Sequence, residues 1–251
     1  MEINKLPRFP VTLDGQAVRI GTTGELVVAL DVLRGQYDRA TLAQLREHLP
    51  QIIRNGQEFL TVMKSLSADD QLFLLEAFGK NLAEVLRDAE RLRDLLAMLA
   101  DERVEQAVLE TLGGDGLNRL IHNARELSGI LEWIYGSSDS RVLESIGMEK
   151  LRGICRSAED LGLVLRSLDR SMQGKFLEGL GWDLVAAGVR DGRDLSTLLR
   201  ALPPEASQRL LQHFTAPRLR QLIGNPDDWA YLYRRLEPEE ADFITGYLDL
   251  S

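Results

Sequence analysis

A segment of about 34 residues recurs six times along this chain. Leu117-Asn-Arg-Leu-Ile-His-Asn-Ala-Arg-Glu-Leu127 aligns with Leu219-Arg-Gln-Leu-Ile-Gly-Asn-Pro-Asp-Asp-Trp229, and the other copies start at Leu49, Leu82, Leu151 and Val185. The seventh position holds Asn55, Asp88, Asn123, Ser157, Asp191 and Asn225. Each of these side chains has an oxygen that accepts a hydrogen bond from an orphan amide at a helix start. Three residues on stand Glu58, Arg91, Glu126, Asp160, Asp194 and Asp228. They are acidic in all but one copy, which suits a capping box and the positive end of a helix. Apolar residues then follow at helical spacing, as in Leu127, Ile130, Leu131 and Ile134, or Leu195, Leu198, Leu199 and Leu202.

A second helix carries pairs such as Val142-Leu143 and Leu210-Leu211 and stops at Gly79, Gly113, Gly147 and Gly181. These are places where the residue past the last turn needs positive φ; Thr215 breaks the column. The opening stretch, Leu49 to Ile53 in the first copy, predicts a third short helix ahead of the cap. None of these helices can bury its apolar stripe alone, whereas stacked neighbours share a continuous core. The expected fold class is therefore all-α, a right-handed α-solenoid of six repeats over residues 49–251. Residues 1–48 depart from the repeat. Phe9 to Ile20 reads as two extended runs around Asp14-Gly15, a small β-hairpin. Helical patterning runs from Thr23 through Leu33 and from Asp38 through Leu49. This segment reads either as a cap over the open end of the array or as a separate docking arm.

Composition removes several function classes. The 39 acidic side chains outnumber the 30 basic ones, and a net charge of -9 disfavours non-specific binding to nucleic acid or an anionic membrane. The single cysteine, Cys155, excludes an intramolecular disulfide framework and a zinc cage of cysteine pairs, and suits a reducing compartment. The N-terminus lacks the basic start and apolar run of a cleavable signal, and no apolar stretch reaches the roughly 18 residues of a membrane span. The expectation is a soluble, cytoplasmic protein that does not insert into a membrane.

The inventory for catalysis is poor. His48, His122 and His213 lie in different segments, so no ligand pair at helical spacing exists for a metal. Cys155 shares the fifth position with Ile53, Leu86, Ile121, Val189 and Ile223, and reads as a small buried hydrophobe. Gly113-Gly114-Asp115-Gly116 lacks the lysine of a phosphate loop. The pairs Glu239-Glu240 and Asp69-Asp70 sit at helix starts, where they compensate the macrodipole. No enzyme activity, metal or cofactor is expected.

Two features point to binding. The sixth position reads Arg54, Arg87, His122, Arg156, Arg190 and Gly224, a basic stripe along one side of a stacked array. It is either a groove for an acidic peptide, carboxylates or phosphate, or a ladder paired with the acidic residues four positions on. The second feature is a set of displaced aromatics. Trp133 stands where the other copies have Ser65, Met98, Ser167, Ala201 and Arg235, and Trp182 where they have Lys80, Gly114, Met148, Ala216 and Leu250. Tyr231, Tyr233, Arg234 and Arg235 gather in the last copy. Trp, Tyr and Arg are typical interface anchors; the alternative is that they fill gaps between unequal copies. Trp229, in an apolar column with Phe59 and Leu92, reads as core.

The stretch Leu202-Pro-Pro-Glu-Ala-Ser-Gln-Arg-Leu-Leu-Gln-His-Phe214, with its Leu-x-x-Leu-Leu-x-x-Leu alternation and glycine stops, resembles the leucine-rich helical repeat arrays of bacterial effector-type proteins. The pattern over residues 49–251 is also similar to the cytosolic helical superhelix of bacterial magnesium channels and to flagellar motor switch proteins. No functional residue carries over from these families. The 34-residue period is that of tetratricopeptide repeats, whose small-residue and aromatic signature is absent. The effector-type resemblance implies a protein-binding scaffold, delivered into another cell without a cleaved signal. The expected function is a non-catalytic scaffold for a protein or peptide partner. The alternative is a nucleic-acid-binding array that tracks phosphates with Arg54, Arg87, Arg156 and Arg190.

Overall fold

The computed structural model describes residues 7–13, 15–32, 38–224, 226–234, 236 and 238–248. Asn225 and Arg235 lie outside the described residues, as do the side chains of Asp228 and Trp229. The chain is mostly helical, with one small N-terminal hairpin, and divides into two compact units, Met1–Ile121 and His122–Ser251.

In the first unit, β1 (Phe9–Leu13) pairs antiparallel with β2 (Gln16–Ile20), from Phe9 opposite Ile20 to Leu13 opposite Gln16, and Gly15 carries a φ of 77°. The expected hairpin is present. Helices α1 (Thr23–Val32) and α2 (Asp38–Leu45) follow. The Gln44 side chain on α2 accepts from the Thr12 N–H at 2.8 Å and donates to its carbonyl at 3.3 Å. Those edge groups of β1 are thereby closed to another strand.

The chain continues through α3 (Leu49–Ile52), α4 (Gly56–Lys64), α5 (Ala68–Phe78), α6 (Leu82–Leu86), α7 (Ala89–Met98) and α8 (Glu102–Leu120). Helix α4 packs on α1, α6 and α7, and α5 packs on α2, α3 and α8. Inside α8, Gly113 turns to a φ of 54° and kinks the helix.

The second unit holds α9 (Ala124–Leu131), α10 (Asp139–Ile146), α11 (Met148–Ile154), α12 (Ala158–Ser167), α13 (Arg170–Leu180) and α14 (Trp182–Gly188). It continues with α15 (Gly192–Leu199), α16 (Pro204–Gln212), α17 (Ala216–Leu222), α18 (Pro226–Tyr233) and α19 (Pro238–Leu248). Helices α9, α12, α15 and α18 form a row in which each packs on the next. Their apolar stripes are buried at Leu127, Ile130, Leu131, Leu161, Leu195, Leu198 and Leu199, whereas Ile134 and Leu202 at the stripe ends are half-buried. Fully burying one such leucine contributes about 2 kcal/mol.

Local hydrogen bonding explains where these helices begin. Asn55, Asp88, Asn123, Ser157 and Asp191 each accept from a backbone N–H in the first turn of the helix they precede. The acidic residue three positions on reaches back: Glu58 accepts from the Arg54 N–H at 2.8 Å, Glu126 from that of His122 at 2.7 Å, and Asp194 from that of Arg190 at 3.1 Å. Helix α1 starts the same way, with Thr22 accepting from the Glu25 N–H and Glu25 accepting from the Gly21 N–H. The Gly21 bond, aided by the Arg8 guanidinium, holds the Glu25 carboxyl below the usual carboxylate range.

Asp88 begins the exception. Its third follower is Arg91, so no carboxylate is available to the Arg87 N–H. That N–H instead bonds the Ala83 carbonyl at 3.0 Å, and Arg87 adopts a φ of 70°, the one positive φ outside glycine among the described residues. Gly79, Gly147 and Gly181, past the ends of α5, α10 and α13, and Gly113, at the kink of α8, all have positive φ. Thr215, where that column breaks, has a φ of -77° and caps α17.

Two further columns concern packing. At intervals of 34 residues (105 − 71 and so on) stand Gln71, Glu105, Asp139, Gln173 and Ser207, four of them buried. Gln71 donates to the Met63 carbonyl at 2.9 Å, Gln173 to that of Leu165 at 2.7 Å, and Ser207 to that of Leu199 at 3.4 Å. Asp139 accepts from the Asp169 N–H at 3.1 Å. The three carbonyls lie at or near the ends of the preceding helices, where intrahelical partners run out.

The second column, in the α9, α12, α15 and α18 row, reads Ser128, Gly162, Ser196 and Ala230; its counterparts in the first unit are Leu60 and Arg93. Small residues let helix backbones approach. A Cβ at Gly162 would stand 3.0 Å from the Thr197 methyl carbon.

Candidate partner-binding surface

The sixth-position side chains sit just ahead of helix starts, and all are exposed. Arg54 donates to the Gln51 carbonyl at 2.8 Å and to the Gly21 carbonyl at 3.4 Å. Arg190 closes an ion pair with Asp194 at 2.9 Å, and that carboxylate raises the guanidinium pKa further. Arg87, His122 and Arg156 make no side-chain hydrogen bond or ion pair with another described residue. The acidic column therefore meets the sixth position mostly through backbone N–H groups, and through a guanidinium at Arg190 alone among the described residues.

The aromatic candidates lie at different places in the second unit. Trp133 follows the end of α9 and is 51% exposed; Tyr135, two residues on, is 45% exposed. Trp182 opens α14, is half-buried, and stacks on His213 with ring centroids 6.1 Å apart and planes 11° from parallel. The His213 Nδ1 lies 2.8 Å from an Asp183 carboxylate oxygen. Tyr231 on α18 lies beneath the Arg193 guanidinium, 6.0 Å from its ring centre, and Tyr233 and Arg234 are exposed at the end of the same helix.

Two concave regions neighbour these residues. One, of about 500 Å³, lies between α13 and α16, and Trp182, Arg170, Lys175, Arg209, Glu178 and Glu205 are among its lining residues. Its charges are partly spent, because Arg209 is ion-paired with Glu178. The other, of about 370 Å³, lies between α11 and α14 and is lined chiefly by apolar side chains, with Arg152 and Arg156 at its edge. Cys155 contributes to that lining; burial, followed by the Asp160 charge, pushes its thiol up to about 12. A thiol so placed stays protonated at neutral pH and packs as a small hydrophobe.

Comparisons with protein-family models, curated proteins and solved structures find no match. The chemistry must therefore be read from the residues themselves. Among the described residues, no group of three or more His, Cys, Asp and Glu side chains is arranged to hold a metal ion. No described helix is long and apolar enough to cross a membrane. The Asp183–His213 pair has a carboxylate and an imidazole in contact, but it lies open on the surface.

Leu184, 54% exposed on α14, is a surface residue that the repeat columns did not single out. The signal was present in the register. The equivalent positions hold His48, Asn81, Gly116, Lys150 and Arg218, so Leu184 is the one large apolar residue there. Arg218 donates from its guanidinium to the Val189 carbonyl at 2.7 Å, a bond that a leucine cannot make.

Proposed function

We propose that this chain is a non-catalytic protein-interaction scaffold that holds a protein or peptide partner on its helical surface. In this reading residues 49–251 form a right-handed α-solenoid of six units of about 34 residues. The capped helix starts and the positive-φ glycines support it, since both recur at the sequence period. The observation that carries the functional reading is the exposure of large hydrophobic side chains in the second unit. Trp133, Tyr135, Leu184 and Tyr233 are each more than two-fifths exposed, whereas among the described residues of the first unit Val28 is the one large hydrophobic side chain exposed to that degree. Exposed aromatic and aliphatic side chains of this kind are anchors at protein interfaces.

The test is affinity purification from lysate followed by mass spectrometry, with the wild type and a variant carrying Trp133→Ala, Tyr135→Ala, Leu184→Ala and Tyr233→Ala. All four are surface truncations, so the fold should persist. A partner recovered by the wild type and lost by the variant is the expected result. Identical recovery by both would refute an interface on these residues.

A further inference from the structure

In five of the six aligned segments the fourth position holds a buried aliphatic residue: Ile52, Val85, Leu120, Ile154 and Leu222. On α14 that position is Gly188, and a Cβ built there would meet no heavy atom within 4 Å. The space that an aliphatic side chain fills elsewhere is therefore open here. It forms part of the groove between α11 and α14, whose apolar wall comes from Cys155, Leu161, Leu180, Leu184 and Val185. Leu184 and Gly188 are four residues apart on one helix, hence on the same face, and the exposed Leu184 stands beside the opening.

The charged residues that line the groove, Arg152 and Arg156, are both basic, and the nearby Asp160 carboxylate, which acts on Cys155, is not part of the lining. Arg152 is engaged, donating to the Leu180 and Gly179 carbonyls at 3.2 Å each, and this ties α11 to the end of α13. Arg156 is exposed and has no side-chain partner among the described residues.

We infer that this groove is a docking site for an acidic peptide segment of a partner protein, which inserts one leucine- or isoleucine-sized side chain into the space above Gly188. A carboxylate beside that residue pairs with Arg156. The inference rests on the scaffold reading and gives it a site and a partner chemistry. An apolar side chain leaving water for a preformed apolar slot supplies affinity, and the flanking carboxylate supplies register and orientation. The groove is large enough to admit such a side chain together with part of its backbone.

The decisive variant is Gly188→Leu, which puts into the slot the side chain that other segments already carry. A phage-displayed library of short random peptides is selected on the full-length wild-type chain, and enriched peptides are assayed by fluorescence polarisation. The expected peptides place an aliphatic residue next to Asp or Glu. They should bind Gly188→Leu at least about tenfold more weakly, since the buried leucine contact is lost, and Arg156→Ala about fivefold more weakly. Gly188→Leu should unfold at the same or a higher denaturant concentration than the wild type. Arg156→Ala, a surface change, keeps the test valid should Gly188→Leu fail to fold.

Peptides that bind Gly188→Leu and the wild type alike would overturn the site, as would enrichment of basic peptides or of none. Peptides insensitive to Gly188→Leu but lost on Trp133→Ala would overturn the groove and leave the scaffold reading standing. Failure of the scaffold reading itself would show separately, as identical recovery by wild type and variant in the lysate experiment.

Discussion

Replacing Arg87 by glycine should stabilise the unit that contains it. Arg87 sits at a φ of 70°, and Arg91 stands where the corresponding helices of Asn55, Asn123 and Asp191 have a carboxylate. The left-handed region costs a residue with a Cβ about 1–2 kcal/mol. Glycine avoids that cost but loses about 0.5–1 kcal/mol more conformational entropy on folding. The net gain for Arg87→Gly is therefore between about 0 and 1.5 kcal/mol, centred on about 0.7 kcal/mol. Arg87→Ala keeps the Cβ and removes the guanidinium, so it should leave stability nearly unchanged; the Gly-to-Ala difference isolates the backbone term. The assay is urea unfolding. All three tryptophans, Trp133, Trp182 and Trp229, lie in His122–Ser251, so fluorescence reports that unit while far-UV circular dichroism reports both. Where the two units unfold separately, Arg87→Gly should raise the circular-dichroism midpoint of Met1–Ile121 and leave the fluorescence midpoint in place. A glycine variant no more stable than the alanine variant would refute the strain argument.

Other outcomes follow from particular contacts. Gly162→Leu should destabilise the second unit by about 1–3 kcal/mol through overpacking, because even a Cβ there comes within 3.0 Å of Thr197; a fluorescence-detected midpoint equal to the wild type would contradict this. Asn123→Ala should cost about 1 kcal/mol by releasing the Glu126 N–H that Asn123 binds at 3.0 Å, and an unchanged urea midpoint would count against the cap. Cys155 gives a pH dependence: its folded pKa is raised from 9.0 to about 12, so the unfolded thiol ionises first. Its contribution is intact below pH 9 and is lost as pH rises toward 12. Cys155→Val should therefore gain stability relative to the wild type across that alkaline window, and a difference that stays flat with pH would sink the assignment.

Much of the local structure was legible before any coordinate. Caps and stops depend on hydrogen bonds between residues within one turn of each other, so Asn55, Asp88, Asn123, Ser157 and Asp191 declare helix starts by their side chains alone. Gly79, Gly147 and Gly181 declare the ends; Gly113, of the same column, marks the kink in α8. The Asp14-Gly15 hairpin was readable for the same reason. The binding surface was less legible. The sixth-position arginines align in sequence, yet Arg54 and Arg190 are engaged by nearby carbonyl or carboxylate oxygens while Arg156 is not. Whether a charge is free depends on which acceptor lies within reach, and that is a distance, not a spacing. Leu184 and Gly188 departed visibly from their columns, but a departure acquires meaning once neighbouring helices define the space around it.

The sequence by itself determined the helical character and the positions where helices begin and end, because each follows from contacts a few residues long. Tertiary structure alone determined how closely the helices approach and what the approach leaves uncovered. Ser128, Gly162 and Ser196 look like weak helix formers in isolation, and their use shows only when α12 lies against α9 and α15. Gln71, Gln173 and Ser207 look like surface residues until the end of the preceding helix brings a carbonyl to each. The open space at Gly188 borders a groove lined by residues from α11, α12, α13 and α14, which no one of these helices forms alone. Packing at a fixed distance depends on every neighbour at once, so no single sequence position could disclose it.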